Sequence, residues 1–179
     1  MSRLSLACDR VSAGGDWMLP TAARLVFGGV LAGYFWASGL TKLGEGIFAP
    51  SAAAYAQIFP RLMEAAGYDA SQLGLWPRLV VLGGTWAEFA LPALIVLGLF
   101  TRLAALGMAG FVGMQSLTDI YGHLAGSQTL GAWFDRTSDA VILDQRAFWM
   151  LLFLVLIVKG GGPLSADWGL RRAFRGVPA

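Results

Sequence analysis

The chain has 179 residues, of which 56% are hydrophobic and only 13% are charged, and its mean hydropathy is +0.62. Soluble domains carry about 25% charged residues, so this composition excludes an ordinary soluble domain and indicates one polytopic membrane domain. The net charge of +2 is spread along the chain, which gives no indication of nucleic-acid binding. The single cysteine, Cys8, excludes an internal disulfide, a CxxC redox motif and a cysteine-based metal cage.

A polar N-terminal segment precedes the first hydrophobic stretch. Residues 1–19 are too polar for a cleaved signal peptide, and we expect them to form a cytoplasmic tail. The first predicted span runs from Ala22 to Leu40, with Arg24 and Lys42 placed to snorkel at opposite interfaces of the bilayer. This span is therefore expected to direct the chain to the membrane.

A helix-forming stretch of mixed polarity, residues 51–67, follows the first span. Its pattern is amphipathic and too polar to cross a membrane, and Pro60 is expected to kink or split it. The sequence thus predicts an amphipathic outer-loop helix that lies on the membrane surface or caps the bundle.

The second and third predicted spans are joined by a very short turn. The second runs from Leu79 to Phe100, which is long enough to cross a hydrocarbon core of about 30 Å, and it contains one carboxylate, Glu88. The third runs from Leu103 to Tyr121. Because only Thr101 and Arg102 separate them, the two spans are expected to be antiparallel neighbours.

A polar and aromatic loop, residues 122–145, leads to the fourth predicted span, from Arg146 to Lys159. The apolar centre of this span is short, but its flanking cations extend it by snorkelling. A basic tail, residues 169–179, closes the chain. The four spans predict an all-α polytopic membrane protein, an antiparallel four-transmembrane-helix bundle, with a membrane domain over residues 20–168.

The distribution of lysine and arginine predicts the orientation of the bundle. With both termini inside, the short cytoplasmic segments hold more basic residues than the two long outer loops. The positive-inside rule therefore favours an N-in, C-in arrangement.

Glu88 lies near the middle of the second span, where a charged group is costly. One interpretation is structural, a buried acid whose hydrogen bond to a neighbouring helix keeps the bundle in register. The other is functional, an acid that carries protons or binds a ligand. The pattern leaves open whether Glu88 faces the first span or the third.

Three polar residues of the third span, Gln115, Asp119 and His123, recur at every fourth position and share one helical face. Together with Lys42 and Glu88 they form a candidate polar pocket in the outer half of the bundle, to which Ser38 can add a hydroxyl. The alternative for Lys42 is a snorkelling anchor.

His123 is the only histidine of the chain, and three interpretations of it remain open. It is a structural residue at a helix end, a group for proton transfer or quinone contact, or a metal ligand together with Asp119. A single histidine excludes bis-histidine haem ligation, which disfavours haem as a cofactor. The spacing identifies no catalytic residue.

Two residues predicted on the cytoplasmic side, Arg102 in the short turn and Asp167 after the fourth span, have opposite charges. We expect them to form a structural pair that holds the helix ends together.

Several short strings occur together between Arg24 and Trp168. They are Arg24-Leu25 with Gly28-Gly29, Ser38 to Leu43, Glu88, Leu97 to Arg102, and Gly162 to Asp167. Their combination resembles the DoxX family of small bacterial four-helix membrane proteins. The resemblance implies an integral protein of the bacterial inner (plasma) membrane, in a family linked to a terminal quinol oxidase and to thiol-redox and oxidative-stress systems. It implies no catalytic motif.

The leading hypothesis is an accessory component of a membrane redox or stress-response system, without catalytic activity of its own and with quinone as the candidate ligand. Its partners would be the lipid bilayer and redox or stress-response proteins encoded nearby, and a homo-oligomer is compatible with the sequence. A transport or metal-handling protein that uses the same pocket residues is one alternative. A structural anchor for a partner protein is the other.

Overall fold

The computed structural model describes the backbone of residues 3–175 and the side chains of residues 14–174. Its α-helices are α1 (Arg3–Val26), α2 (Gly33–Lys42), α3 (Ala52–Ile58), α4 (Pro60–Ala65), α5 (Leu75–Leu97), α6 (Thr101–Leu117), α7 (Ser127–Leu130), α8 (Arg146–Lys159) and α9 (Ala166–Arg175). Two short strands, β1 (Leu43–Gly46) and β2 (Ala49–Pro50), pair antiparallel. The π-helical segments are Phe27–Ala32, Thr118–Gly122 and Val141–Gln145, and Ala70–Gln72 is a 3₁₀ turn.

Four helical runs of the described chain are long and apolar enough to cross a membrane. They are Gly14–Lys42, Leu75–Leu97, Thr101–Gly122 and Val141–Lys159. The first packs against the second and the fourth, and the third packs against the same two, which makes an antiparallel four-helix bundle. The predicted fold class is therefore confirmed.

The N-terminal segment differs from the predicted tail, because α1 is helical from Arg3 onward. Leucine, alanine and arginine are good helix formers, and no proline interrupts the helix before Pro20. The helix therefore extends through the polar stretch and places Gly14 at the start of the first span. Cys8 lies outside the residues whose side chains are described.

The apolar core fills the centre of the bundle. Its members come from all four spans, and the side chains below 4% exposure include Phe27, Leu31, Phe35, Ile95, Met108, Val112, Phe153 and Leu156. The rings of Phe27 and Phe153 lie 5.9 Å apart, in a tilted arrangement across the first and fourth spans. The core thus joins the first and fourth spans, which are not consecutive in the chain.

One end of the bundle, here called the turn end, consists of residues 98–102, Arg24 and residues 160–167. The turn requires a glycine at position 98, because φ is +70° there and an added Cβ would lie 2.5 Å from Ser165 Cβ. Helix α5 therefore ends at Leu97, short of the predicted Phe100.

Arg24 does not snorkel at this end, contrary to expectation. Its guanidinium donates to four main-chain carbonyls, those of Ile95, Val96, Gly161 and Leu164, at 2.6–3.0 Å. The last carbonyls of a helix have no partner within the helix, so a five-donor cation next to them is well placed to satisfy them. Arg24 therefore ties the first span to the ends of the second and fourth.

The opposite end, here called the cap end, carries β1, β2, α3 and α4. Pro60 begins α4 and separates it from α3, so the predicted split of the amphipathic stretch at this residue is confirmed. A small apolar cluster of Ala54, Tyr55, Met63 and Val81 packs this cap onto α5. The strands were not predicted, because Leu43 to Gly46 has no alternating pattern.

Helix α9 occupies much of the region predicted as a basic tail. It begins at Ala166, and its Asp167 amide donates to Gly98 O at 2.8 Å. This bond docks the start of α9 on the turn end.

Candidate functional site

A cavity of about 630 Å³ lies at the cap end, between the second and third spans and beneath α3. Its walls include Ile58, Phe59, Leu91 and Phe111. The five side chains proposed from the sequence as a polar pocket all line it: Lys42, Glu88, Gln115, Asp119 and His123. The five residues thus surround one cavity, but they do not form one cluster. Lys42 pairs with Glu88, and each of the other three has a partner outside this set.

The most deeply buried pair is Lys42 with Glu88. Lys42 Nζ lies 3.0 Å from both Glu88 carboxylate oxygens, and the two side chains are 7% and 2% exposed. Ser38 Oγ donates to Glu88 Oε1 at 3.0 Å and lies 2.7 Å from Lys42 Nζ. Glu88 therefore faces the first span, which answers the question that its position in the sequence left open.

The geometry of this pair follows from helical periodicity. Ser38 and Lys42 are one turn apart on α2, so they lie on the same face toward α5. The interpretation of Lys42 as a snorkelling anchor is wrong, because an acid in the neighbouring span offers the ammonium a closer partner than the interface does. A buried pair of this kind is sensitive to the loss of either member, since the remaining charge would be left without compensation.

A second ion pair joins the third and fourth spans. Arg146 Nη2 lies 2.7 Å from Asp119 Oδ2, and Arg146 Nη1 donates to Ser116 Oγ at 2.9 Å. The arginine side chain is 5% exposed and its Nε has no hydrogen-bond partner. The sequence predicted Arg146 only as a flanking cation. Its position at the same end of the bundle as Asp119 was the signal for this pair.

Gln115 contacts a residue that the sequence reasoning missed. Its Nε2 donates to the Tyr34 hydroxyl oxygen at 3.2 Å, while its Oε1 is buried without a partner. Tyr34 lines the cavity and precedes Ser38 and Lys42 at four-residue intervals on the same face. That spacing was the signal that could have identified Tyr34.

His123 follows the π-helical segment and contacts the cap. Its Nε2 lies 2.9 Å from Gln57 O on α3. A carbonyl oxygen only accepts hydrogen bonds, so Nε2 is the donor of this hydrogen bond.

His123 and Asp119, the candidate metal ligands, have separate partners, Gln57 and Arg146. Among the described residues, no group of three or more histidine, cysteine or acidic side chains is arranged to hold a metal ion. The geometry therefore gives no support to metal binding at this pair.

The cavity exists because glycines line its walls. A Cβ added at Gly83 or at Gly110 would have no neighbour within 4 Å, and one added at Gly84 would come only as close as 3.7 Å to Ile58. Each of these three glycines lines the cavity. Side chains at these positions would therefore fill the space rather than collide with neighbouring atoms.

The predicted pair of Arg102 and Asp167 is not formed. The Asp167 carboxylate accepts from the Phe100 and Thr101 amides at 2.7 and 2.9 Å, and from the Thr101 hydroxyl at 2.8 Å. The unpaired amides at the start of α6 are better oriented partners than an exposed arginine side chain. Burial raises the pKa of Asp167, but the bonds from Thr101 and Phe100 outweigh it and hold the pKa below its usual value.

Four antiparallel spans around a buried ion pair and a polar-ended cavity define a polytopic helical membrane protein. The chain belongs to the DoxX family, whose sequence profile matches residues 19–118. The match covers the first two spans and most of the third, including Tyr34, Lys42, Glu88 and Gln115, and it ends just before Asp119. Comparison with curated proteins and with solved structures finds no significant match.

Proposed function

We propose that this DoxX-family protein is an accessory component of a membrane redox or stress-response system and that it binds a quinone-class ligand in the cap-end cavity. The observation that carries the proposal is the cavity itself, with about 630 Å³ of space, apolar walls and polar side chains at one end. Ligand pockets of about 300–1,000 Å³ with few polar groups are typical of small-molecule sites.

The hydrogen-bonding groups of the cavity match a quinone-class ring, whose oxygen substituents are carbonyls in the oxidised form and hydroxyls in the reduced form. The Tyr34 hydroxyl accepts from Gln115, so its own proton is free to be donated to a ligand carbonyl. In the tautomer that donates from Nε2 to Gln57 O, His123 Nδ1 is an acceptor for a ligand hydroxyl. A quinone supplies two acceptors, and its reduced form supplies two donors.

The charges around the cavity favour a neutral ligand. Lys42 is balanced by Glu88, and Asp119 is balanced by Arg146. A charged ligand would lose its hydration without gaining a free counter-charge, which is costly at low dielectric. A quinone ring is uncharged in both its oxidised and its fully reduced form, so its burial does not carry the desolvation cost of a charge.

The floor of the cavity favours binding over transport. Leu91 and Phe111 both line the cavity and pack against the buried core, which contains Phe35, Met108 and Val112. A ligand that enters from the cap end would therefore meet close-packed side chains and leave by the way it came. We place the protein in the inner membrane with both termini inside, so that the cavity lies in the outer half.

The binding test uses two glycine variants of the third span. We expect Gly110→Leu to fill the cavity and lower the affinity for a short-chain quinone at least about tenfold, since the inserted side chain occupies the ligand's volume. Gly113→Leu is the matched control, because Gly113 is equally open but does not line the cavity. Isothermal titration of purified protein in detergent with decylubiquinone and its quinol measures both affinities. Equal affinity in the two variants would contradict the proposed site.

The cellular role is tested by complementation of a deletion strain under peroxide stress. We expect the wild-type chain and Gly113→Leu to restore survival and Gly110→Leu to fail, at equal levels of protein in the membrane. If both variants restore survival, the cavity is not required for the stress role, and a structural anchor for a partner protein is favoured.

A further inference from the structure

Helix α9 has two chemically distinct faces. Leu170 and Phe174 are one turn apart and share one face, and they are 44% and 86% exposed. Trp168 and Arg172, also one turn apart, lie on the opposite side, and the guanidinium carbon is 4.2 Å from the indole centroid. Such a helix is typical of segments that lie in the plane of a membrane interface.

The position of α9 fits this plane. Its start is fixed to the turn between the second and third spans through Asp167, and the fourth span ends seven residues before it, at Lys159. Because the ends of spanning helices lie at the level of the lipid headgroups, α9 begins at that level. Its exposed apolar face is therefore within reach of the acyl chains once the helix lies on the membrane surface.

The charge at the turn end favours anionic lipid. Among the described side chains, the cations at this end are Arg24, Arg102, Lys159, Arg171 and Arg172, and the acids are Asp16 and Asp167. Asp16 pairs with Lys159, and Asp167 is held by main-chain amides. The exposed guanidiniums of Arg102, Arg171 and Arg172 are thus the groups left to meet phosphates, and Arg171 and Arg172 are the two that lie on α9.

A second cavity, of about 350 Å³, lies beside α9 and is lined by Trp17, Lys159, Gly162, Trp168 and Arg171, together with Asp16 and Asp167. Its indole rings and cations are the side chains that recur at the headgroup level of membrane proteins. With about 350 Å³ of space, the cavity has room for a phosphate headgroup.

We propose that α9 lies in the headgroup layer of the membrane and binds anionic phospholipid, with Leu170 and Phe174 among the acyl chains and Arg171 and Arg172 at the phosphates. The inference is independent of the quinone proposal, since the two sites lie at opposite ends of the bundle.

The first test measures how deeply residue 174 is immersed. In a Cys8→Ser background, Phe174→Cys carries an environment-sensitive fluorophore, and the full chain is placed in nanodiscs of phosphatidylcholine alone or with phosphatidylglycerol. We expect a blue shift and several-fold weaker quenching by acrylamide only when phosphatidylglycerol is present. The control is Phe134→Cys, which is fully exposed at the cap end and should respond equally in both discs.

Two results of this test would overturn the proposal. One is equal accessibility of residue 174 in both lipids. The other is shielding that persists in detergent and rises with protein concentration, which would place a second copy of the chain on this face.

The second test counts the lipid that remains bound. Each cation near an anionic surface contributes roughly a fivefold factor, so Arg171→Gln with Arg172→Gln should reduce phosphatidylglycerol retention about twentyfold in native mass spectrometry. The charge-matched control is Arg61→Gln with Arg136→Gln, two exposed residues of the cap end. Unchanged retention in the first variant, or displacement of the lipid by millimolar inorganic phosphate, would overturn the proposal.

Discussion

The two ends of the bundle satisfy their charged groups in different ways. At the turn end, Arg24 and Asp167 bond mainly to main-chain carbonyls and amides, whose positions are fixed by the helices. At the cap end, Lys42 and Arg146 bond mainly to side chains, beside a cavity that Lys42 lines. Main-chain partners stabilise the structure but do not form a ligand site. The side-chain pairs of the cap end lie beside a cavity, which leaves space for a ligand.

The largest expected effect is at the cap end. Glu88→Leu should lower the free energy of unfolding by about 3–5 kcal/mol, because it leaves Lys42 as an uncompensated buried charge. The double variant Lys42→Met with Glu88→Leu should recover more than half of this loss, since both charges are removed. Denaturant titration in detergent micelles measures all three proteins. Additive losses in the double variant would show that the pair does not interact as the geometry requires.

An intermediate effect is expected at the turn end. Arg24→Ala should cost about 3 kcal/mol, because a charge-assisted hydrogen bond contributes about 1.5–3 kcal/mol and four carbonyls lose their donor. Arg102→Ala is the control, since its side chain is exposed and makes no ion pair among the described residues; it should change stability by less than about 0.5 kcal/mol. Equal losses of stability in the two variants would show that the main-chain hydrogen bonds of Arg24 stabilise the protein no more than an exposed cation does.

The smallest effect concerns Asp167, which caps α6. Asp167→Asn should cost about 1 kcal/mol at neutral pH through weaker capping. The folded state lowers the pKa of this acid, so its contribution is present above its ordinary pKa, near 3.8, and is lost as pH falls through the lower folded value. Thermal unfolding from pH 6 to pH 3 should therefore show a constant difference between wild type and variant at the upper end and a smaller one below about pH 3.8. A constant difference between them over this range would exclude a role for the carboxylate charge.

Much of the fold could be predicted because hydrophobic length and helix periodicity are local properties. The four spans and the split at Pro60 follow from composition along the chain. Their ends could not be placed as well. The end of α5 at Leu97 depends on the packing of Gly98 against Ser165.

The candidate site was partly predictable, because helix periodicity also determines which residues of one helix share a face. Four-residue spacing groups Gln115 with Asp119 and His123 on one face, but it does not fix the rotation of each helix about its axis. That rotation decides whether Glu88 meets Lys42 or the third span. It also decides that Tyr34 lines the cavity and that Arg146 pairs with Asp119, and the sequence predicted neither contact.

The sequence by itself determined that the protein is a four-span membrane protein of the DoxX type with a few costly charges inside it, because the energy of inserting side chains into lipid depends on residue type and length alone. Only the tertiary structure decided the partners of those charges. Pairing depends on distances between helices that are far apart in sequence, and a buried ion takes the nearest well-oriented partner. For Asp167 that partner is the backbone of α6, and for Lys42 it is Glu88.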